Sequence, residues 1–110
     1  MIVLDTHALV WWVSDPDRIP ARARRLVDAT RREGGLCAVS SISAWEIAML
    51  VAHERLVLSI DLEAWIAAVE ALPYLQFVPV DNRLAVQAVR LDRFPQRDPA
   101  DRIIVATALA

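Results

Sequence analysis

The stretch Met1-Ile2-Val3-Leu4-Asp5-Thr6 opens the chain, and its reading decides the fold. An unbroken β-prone apolar run that ends in a carboxylate reads as a parallel strand buried on both faces, delivering Asp5 at its carboxyl end. In open α/β sheets that edge is where ligands sit. Such a strand needs helices above and below it, and the rest of the chain alternates helical segments with strands. Asp5 has a second reading as the cap of the following helix, with Thr6 as another candidate cap. The placing of the other isolated carboxylates favours the first reading.

Working outward, residues 7–13 read as a short helix that is apolar on nearly all sides. Trp11 and Trp12 are adjacent in it and point about 100° apart, so one is expected in the core and the other on a second contact surface. Asp15-Pro16-Asp17 ends this helix. Pro20 stands near the start of the next, which runs to Glu33 and stops at Gly34-Gly35. Its apolar stripe is Ala23, Leu26, Val27 and Thr30. Arg22, Arg25 and Arg32 fall along another face, read as solvated rather than as an RNA contact, and Arg24 with Asp28 has the spacing of a helical pair.

Residues 36–39 are the second strand, and Ser40, Ser41 and Ser43 are candidate caps for a helix over 44–53. A loop or short extended piece covers 56–59. The helix over 61–72 has the acidic first turn that the helix dipole favours, and Pro73 closes it. Residues 75–80 are the third strand, and Asp81 caps a helix ending near Leu91. This order predicts a three-layer α/β/α sandwich around a central parallel sheet with right-handed crossovers, in one domain over residues 1–110.

A chain of 110 residues, 56% of them hydrophobic, suits one small core. No segment approaches the roughly 18 consecutive apolar residues of a membrane span, and the start lacks the pattern of an export signal. With the single cysteine Cys37, neither a disulfide framework nor a Cys-rich zinc site can form within the chain, and a cytoplasmic location is expected. All 12 basic residues are arginine. The absence of lysine argues against a P-loop, a Schiff-base enzyme or a phosphoryl-transfer receiver domain. A net charge of -2 gives no global reason to bind a polyanion, so local arginine clusters would have to do it.

The chemistry rests on acids. Ser43-Ala44-Trp45-Glu46 fits a capping box, which would give Glu46 a structural role. Yet Glu46 is the only charge between Ala44 and Ala52. An unpaired carboxylate buried there would be costly, so it needs a partner, and a bound cation is one candidate. Asp98-Pro99-Ala100-Asp101 reads as an N-cap, a proline at the first helical position and an acid two residues on. Asp98 and Asp101 would repel each other there, and together they would hold a divalent cation well. Asp5, Glu46, Asp98 and Asp101 can thus converge at the carboxyl edge of the sheet. Oxygen donors of this kind suit Mg²⁺ or Mn²⁺ rather than zinc, for activating water and stabilising an in-line displacement at phosphorus. No serine, cysteine or histidine nucleophile system is as well placed, and His7 reads as a packed or surface residue rather than a ligand.

Three segments carry a resemblance: MIVLDTHALVWW (1–12), SSISAWEIAML (40–50) and RDPADRIIVATALA (97–110). In this order and spacing they resemble the PIN-domain ribonucleases, specifically VapC-type toxins of type II toxin-antitoxin systems, over essentially the whole chain. The resemblance implies an α/β/α sandwich and Mg²⁺-dependent endonucleolytic cleavage of RNA, often tRNA or another structured RNA. It also implies a homodimer, neutralised by a cognate antitoxin whose C-terminal segment lies across the toxin. Asp5, Glu46 and Asp101 match the family's acidic positions, Asp98 the neighbouring acid of the RDP subgroup, and Thr6 the hydroxyl that often follows the first aspartate. The carboxylates are the implied metal ligands, and Thr6 positions water or metal. Family members normally continue into another strand that often bears an acid, whereas this sequence stops at Ala110 in a helical pattern with no glycine stop. The expectation is a C-terminally truncated domain lacking its last strand. A catalytically impaired fragment acting as an antitoxin-binding or dimerisation module is the alternative function.

Overall fold

In the computed structural model, residues 2–91 and 98–109 are described; Met1 of the opening strand, Arg97 of the RDP motif and the terminal Ala110 lie outside them. The most buried stretch is β2 (Cys37–Ser40), all four of whose residues are shielded from solvent. It forms the middle of a three-stranded parallel sheet between β1 (Ile2–Leu4) and β3 (Leu75–Val78). Leu4 lies opposite Val39, and Ser40 opposite Val78, so the carboxyl ends of the strands are level. The opening strand is less enclosed than its sequence suggests: Ile2 and Val3 are only half-buried, and Leu4 alone is buried. Among the described residues β1 pairs with one strand only, so the doubly covered position belongs to β2.

The helices are α1 (Thr6–Ser14), α2 (Ala21–Arg32), α3 (Ser41–Ala52), α4 (Leu62–Glu70), α5 (Asn82–Val89) and α6 (Pro99–Leu109), with one 3-10 turn at Pro16–Arg18. Local chemistry starts five of them, α6 through Asp98, whose Oδ1 accepts from the N–H groups of Ala100 and Asp101. Side-chain oxygens of Asp5, Ser40, Asp61 and Asp81 accept from the backbone N–H groups of Ala8, Ile42, Ala64 and Leu84. Gly34, at φ 73, supplies the left-handed residue past the end of α2. The helices enclose the sheet as the expected α/β/α sandwich.

The main core joins Leu9 and Val10 of α1, Val27 of α2, Val39 of β2, Ile47 of α3, and Trp65 and Val69 of α4. A smaller one holds α5 to α6 through Leu84, Ala88 and Ala106. The adjacent tryptophans divide as their helical spacing requires. Trp12 packs on the main core and donates Nε1–H to the Tyr74 hydroxyl at 2.9 Å, while Trp11 faces His7 and Arg18.

Three local expectations change. Helix α3 starts at Ser41, because Ser40, the last residue of β2, is itself the cap; Ser43 is then inside the helix and the capping box with Glu46 does not form. Leu26 is 53% exposed, since on α2 only Val27 is turned fully inward. Arg24 donates to the carbonyl of Pro16 instead of pairing with Asp28, a backbone acceptor that the 3-10 turn brings within reach.

Candidate active site

At the carboxyl edge of the sheet three polar side chains meet from two elements. Thr6, the first residue of α1, is 5% exposed, and Ser43 on α3 is fully buried. The Thr6 Oγ1 lies 2.5 Å from Glu46 Oε1 and 2.9 Å from Ser43 Oγ. A hydroxyl carries one proton and a carboxylate only accepts. Thr6 therefore donates to Glu46, and Ser43 donates to Thr6, in a directed relay that ends on the carboxylate. The Thr6 to Glu46 contact has the short length of a charge-assisted O–H···O⁻ bond. Ser43 and Glu46 lie on one face of α3, three residues apart. The partner that Glu46 requires is thus a hydroxyl delivered by β1 and α1, and the glutamate is half-buried rather than enclosed.

Asp5 stands immediately before Thr6, exposed, with Oδ1 accepting from the Ala8 N–H at 2.8 Å. Capping occupies one oxygen and leaves the other without a partner among the described residues. Both readings of Asp5 are therefore compatible. Asp98 behaves alike: its Oδ1 accepts from Ala100 N–H at 2.8 Å and Asp101 N–H at 3.3 Å. Asp101 is exposed in the first turn of α6.

Arg102 fixes the position of that turn. Its Nε and Nη2 donate to the carbonyls of Ala88, Val89 and Leu91, at 2.8, 3.1 and 3.1 Å. Carbonyls at the end of a helix lack intrahelical donors and carry the negative end of its dipole, so a guanidinium suits them. The acid-bearing start of α6 is in this way clamped to the end of α5.

Between α3, the start of α6 and the segment after β3 lies a cavity of about 860 Å³. Glu46 and Asp98 both line it, together with Trp45, Met49, His53, Arg55, Pro79 and Pro99. Its wall is largely apolar. Asp5 and Asp101 are not among its lining residues. Among the described residues no three Asp, Glu, His or Cys side chains gather closely enough to hold a metal ion. One oxygen each of Asp5 and Asp98 caps its own helix, and one oxygen of Glu46 accepts from Thr6. In kind the donors do fit a hard divalent cation, being carboxylate and hydroxyl oxygens with unused lone pairs at one sheet edge.

Sequence reasoning passed over Ser43 as anything but a cap, although its place three residues before Glu46 was the available signal. It assigned nothing to Arg102, whose role depends on where α5 ends. Cys37 lies in β2, away from this edge. Burial pushes its thiol above the ordinary value of 9.0, with the nearby Arg31 acting weakly in the other direction. No described helix is long and apolar enough to cross a membrane.

The family profile described as PIN domain matches residues 2–110. The chain is also 32% identical over 108 residues to Ribonuclease VapC22 of Mycobacterium tuberculosis, a match covering 98% of this chain and 78% of that protein. No solved structure matches. A parallel sheet with acids at its carboxyl edge, a profile spanning nearly every residue and a relative of this kind agree with one another: the chain belongs to the PIN-domain family and is of the VapC type.

Proposed function

We propose that the chain is a metal-dependent endoribonuclease of the toxin class, cleaving RNA phosphodiester bonds with water as the nucleophile. The observation that carries this reading is the hydrogen bond from Thr6 to Glu46, which ties two acid-bearing segments 40 residues apart into one site. Asp5, Glu46, Asp98 and Asp101 are the residues that would hold Mg²⁺ or Mn²⁺. When bound, such an ion polarises a phosphoryl oxygen and lowers the pKa of water. The chain's own contribution is orientation. Thr6 holds one oxygen of Glu46, which leaves the other directed elsewhere; Asp5 and Asp98 each keep one oxygen on a helix N–H and present the second.

The relative is named a ribonuclease, and the donor chemistry here suits that activity. Cognate antitoxin, RNA substrate and a second copy of the chain are the proposed partners, in the cytoplasm. Asp5→Asn is expected to abolish Mg²⁺-dependent RNA cleavage and to relieve growth arrest on expression; an unchanged cleavage rate would refute the proposal. The largely apolar cavity beside Trp45, which is 56% exposed, favours a second reading, an antitoxin-binding module with impaired catalysis. Metal-dependent cleavage by the purified 110-residue chain would rule that out.

A further inference from the structure

Beside the acids, on the first two turns of α1, lies a group of side chains that the proposed chemistry does not use. His7 follows Thr6 directly and is exposed. Its imidazole stacks on the half-buried indole of Trp11, one turn along the helix, with ring centroids 5.9 Å apart and planes 21° from parallel. The Arg18 guanidinium lies 5.6 Å from the centre of the same indole, held by the 3-10 turn that follows α1. Arg18 is itself largely in water, with an ion-pair contact to Asp15 of 3.9 Å. Packing does not require this arrangement, because the core contact of this helix is made by Leu9, Val10 and Trp12.

The geometry points to a base-stacking subsite for single-stranded RNA, formed by His7 on Trp11 with Arg18 beside them. This inference rests on the reading of the chain as a ribonuclease. Every nucleobase offers a flat π-face, and aromatic rings and guanidinium planes are the surfaces on which proteins stack unpaired bases. A helical turn advances about 5.4 Å, so His7 is at the acid-bearing edge and Trp11 is one step away from it. A strand whose phosphodiester reaches Asp5 and Glu46 would bring an adjacent base to the His7 ring. Arg18 would then face that nucleotide's phosphate, a local positive charge in a chain whose net charge is -2. Trp11, itself half-buried, backs the imidazole and so lowers the entropy lost on stacking.

The test uses short single-stranded RNA oligonucleotides, each abasic at one position, bound to the full chain carrying Asp5→Asn to prevent turnover and followed by fluorescence anisotropy. His7→Ala is expected to raise Kd about tenfold for the intact oligonucleotide, and His7→Phe, which keeps a π-face but no ionisable group, to restore tight binding. One of the abasic oligonucleotides should bind the His7-containing protein as weakly as the intact one binds His7→Ala. Arg18→Ala should flatten the dependence of binding on salt by about one phosphate contact. If His7→Ala binds as tightly as its parent, or His7→Phe fails to restore affinity, the subsite does not exist. An aromatic side chain of an antitoxin would then be the candidate occupant of the stack. Cleavage by the unmodified chain is measured separately, so a ribonuclease that ignores His7 overturns only the subsite, whereas a chain that neither cleaves nor binds RNA overturns both.

Discussion

At Thr6 a single hydroxyl determines how a half-buried glutamate is accommodated. Ser43 donates to it and it donates to Glu46, so both of its hydrogen-bonding roles are used, and no buried side-chain polar atom among the described residues lacks a partner. Valine at this position has nearly the same shape and no hydroxyl. Thr6→Val would leave the buried Ser43 hydroxyl without its acceptor and Glu46 without its donor, which costs about 1–3 kcal/mol. In thermal denaturation Thr6→Val is expected to melt below the parent, and in RNA cleavage it should lose activity together with the orientation of Glu46. Thr6→Ser, which keeps the proton, should recover most of both. Equal stability of the valine and parent proteins would show that the relay contributes nothing.

Among the elements, α6 depends on a neighbour for its placement. It begins with a well-made cap at Asp98, and caps set where a helix starts without setting where it lies. Position comes from the small core of Leu84, Ala88 and Ala106 and from the Arg102 guanidinium on the last carbonyls of α5. Arg102→Ala removes a charged donor from partly buried carbonyls, a loss of about 1.5–3 kcal/mol. For a domain of this size that corresponds to a fall in Tm of roughly 5–20 °C. Since the same helix carries Asp98 and Asp101, metal-dependent cleavage should fall as well; a variant with unaltered Tm would show that the clamp is not needed to dock α6. The start of α3 illustrates how elements meet: Ser40 is both the last strand residue and the helix cap, so β2 runs into α3 without a loop and carries Ser43 and Glu46 to the sheet edge.

For the molecule as a whole, the proposed ion binding would be linked to folding, because carboxylates that the fold sets at one edge would bind a cation better than they do in the unfolded chain. Free Mg²⁺ at ten times its Kd is expected to stabilise the native state by about 1.4 kcal/mol. Differential scanning calorimetry should register this as a rise in Tm of roughly 5–10 °C, and Asp5→Asn should reduce it. A Tm that does not respond to Mg²⁺ or Mn²⁺ would count against the carboxylates as ligands. The largely apolar cavity is lined by Glu46 and Asp98, so a molecule occupying it would lie against two of the proposed metal-binding acids.

The order of elements, four of the helix caps and membership of the PIN-domain family were legible in the sequence, because each depends on neighbours within a few residues or on segments read side by side. The first strand's abrupt end at Asp5 already marked the edge where Thr6, Ser43 and Glu46 meet. What only the tertiary structure decided is how the acids there are held. Glu46 looked like half of a capping box because Ser43 stands three residues before it. It became the end of a hydroxyl relay once β1 and α3 were packed together, and local spacing cannot express a hydrogen bond across 40 residues. In the same way, the free carbonyls at the end of α5 exist only where the helix stops, and Arg102 finds them only in the folded chain.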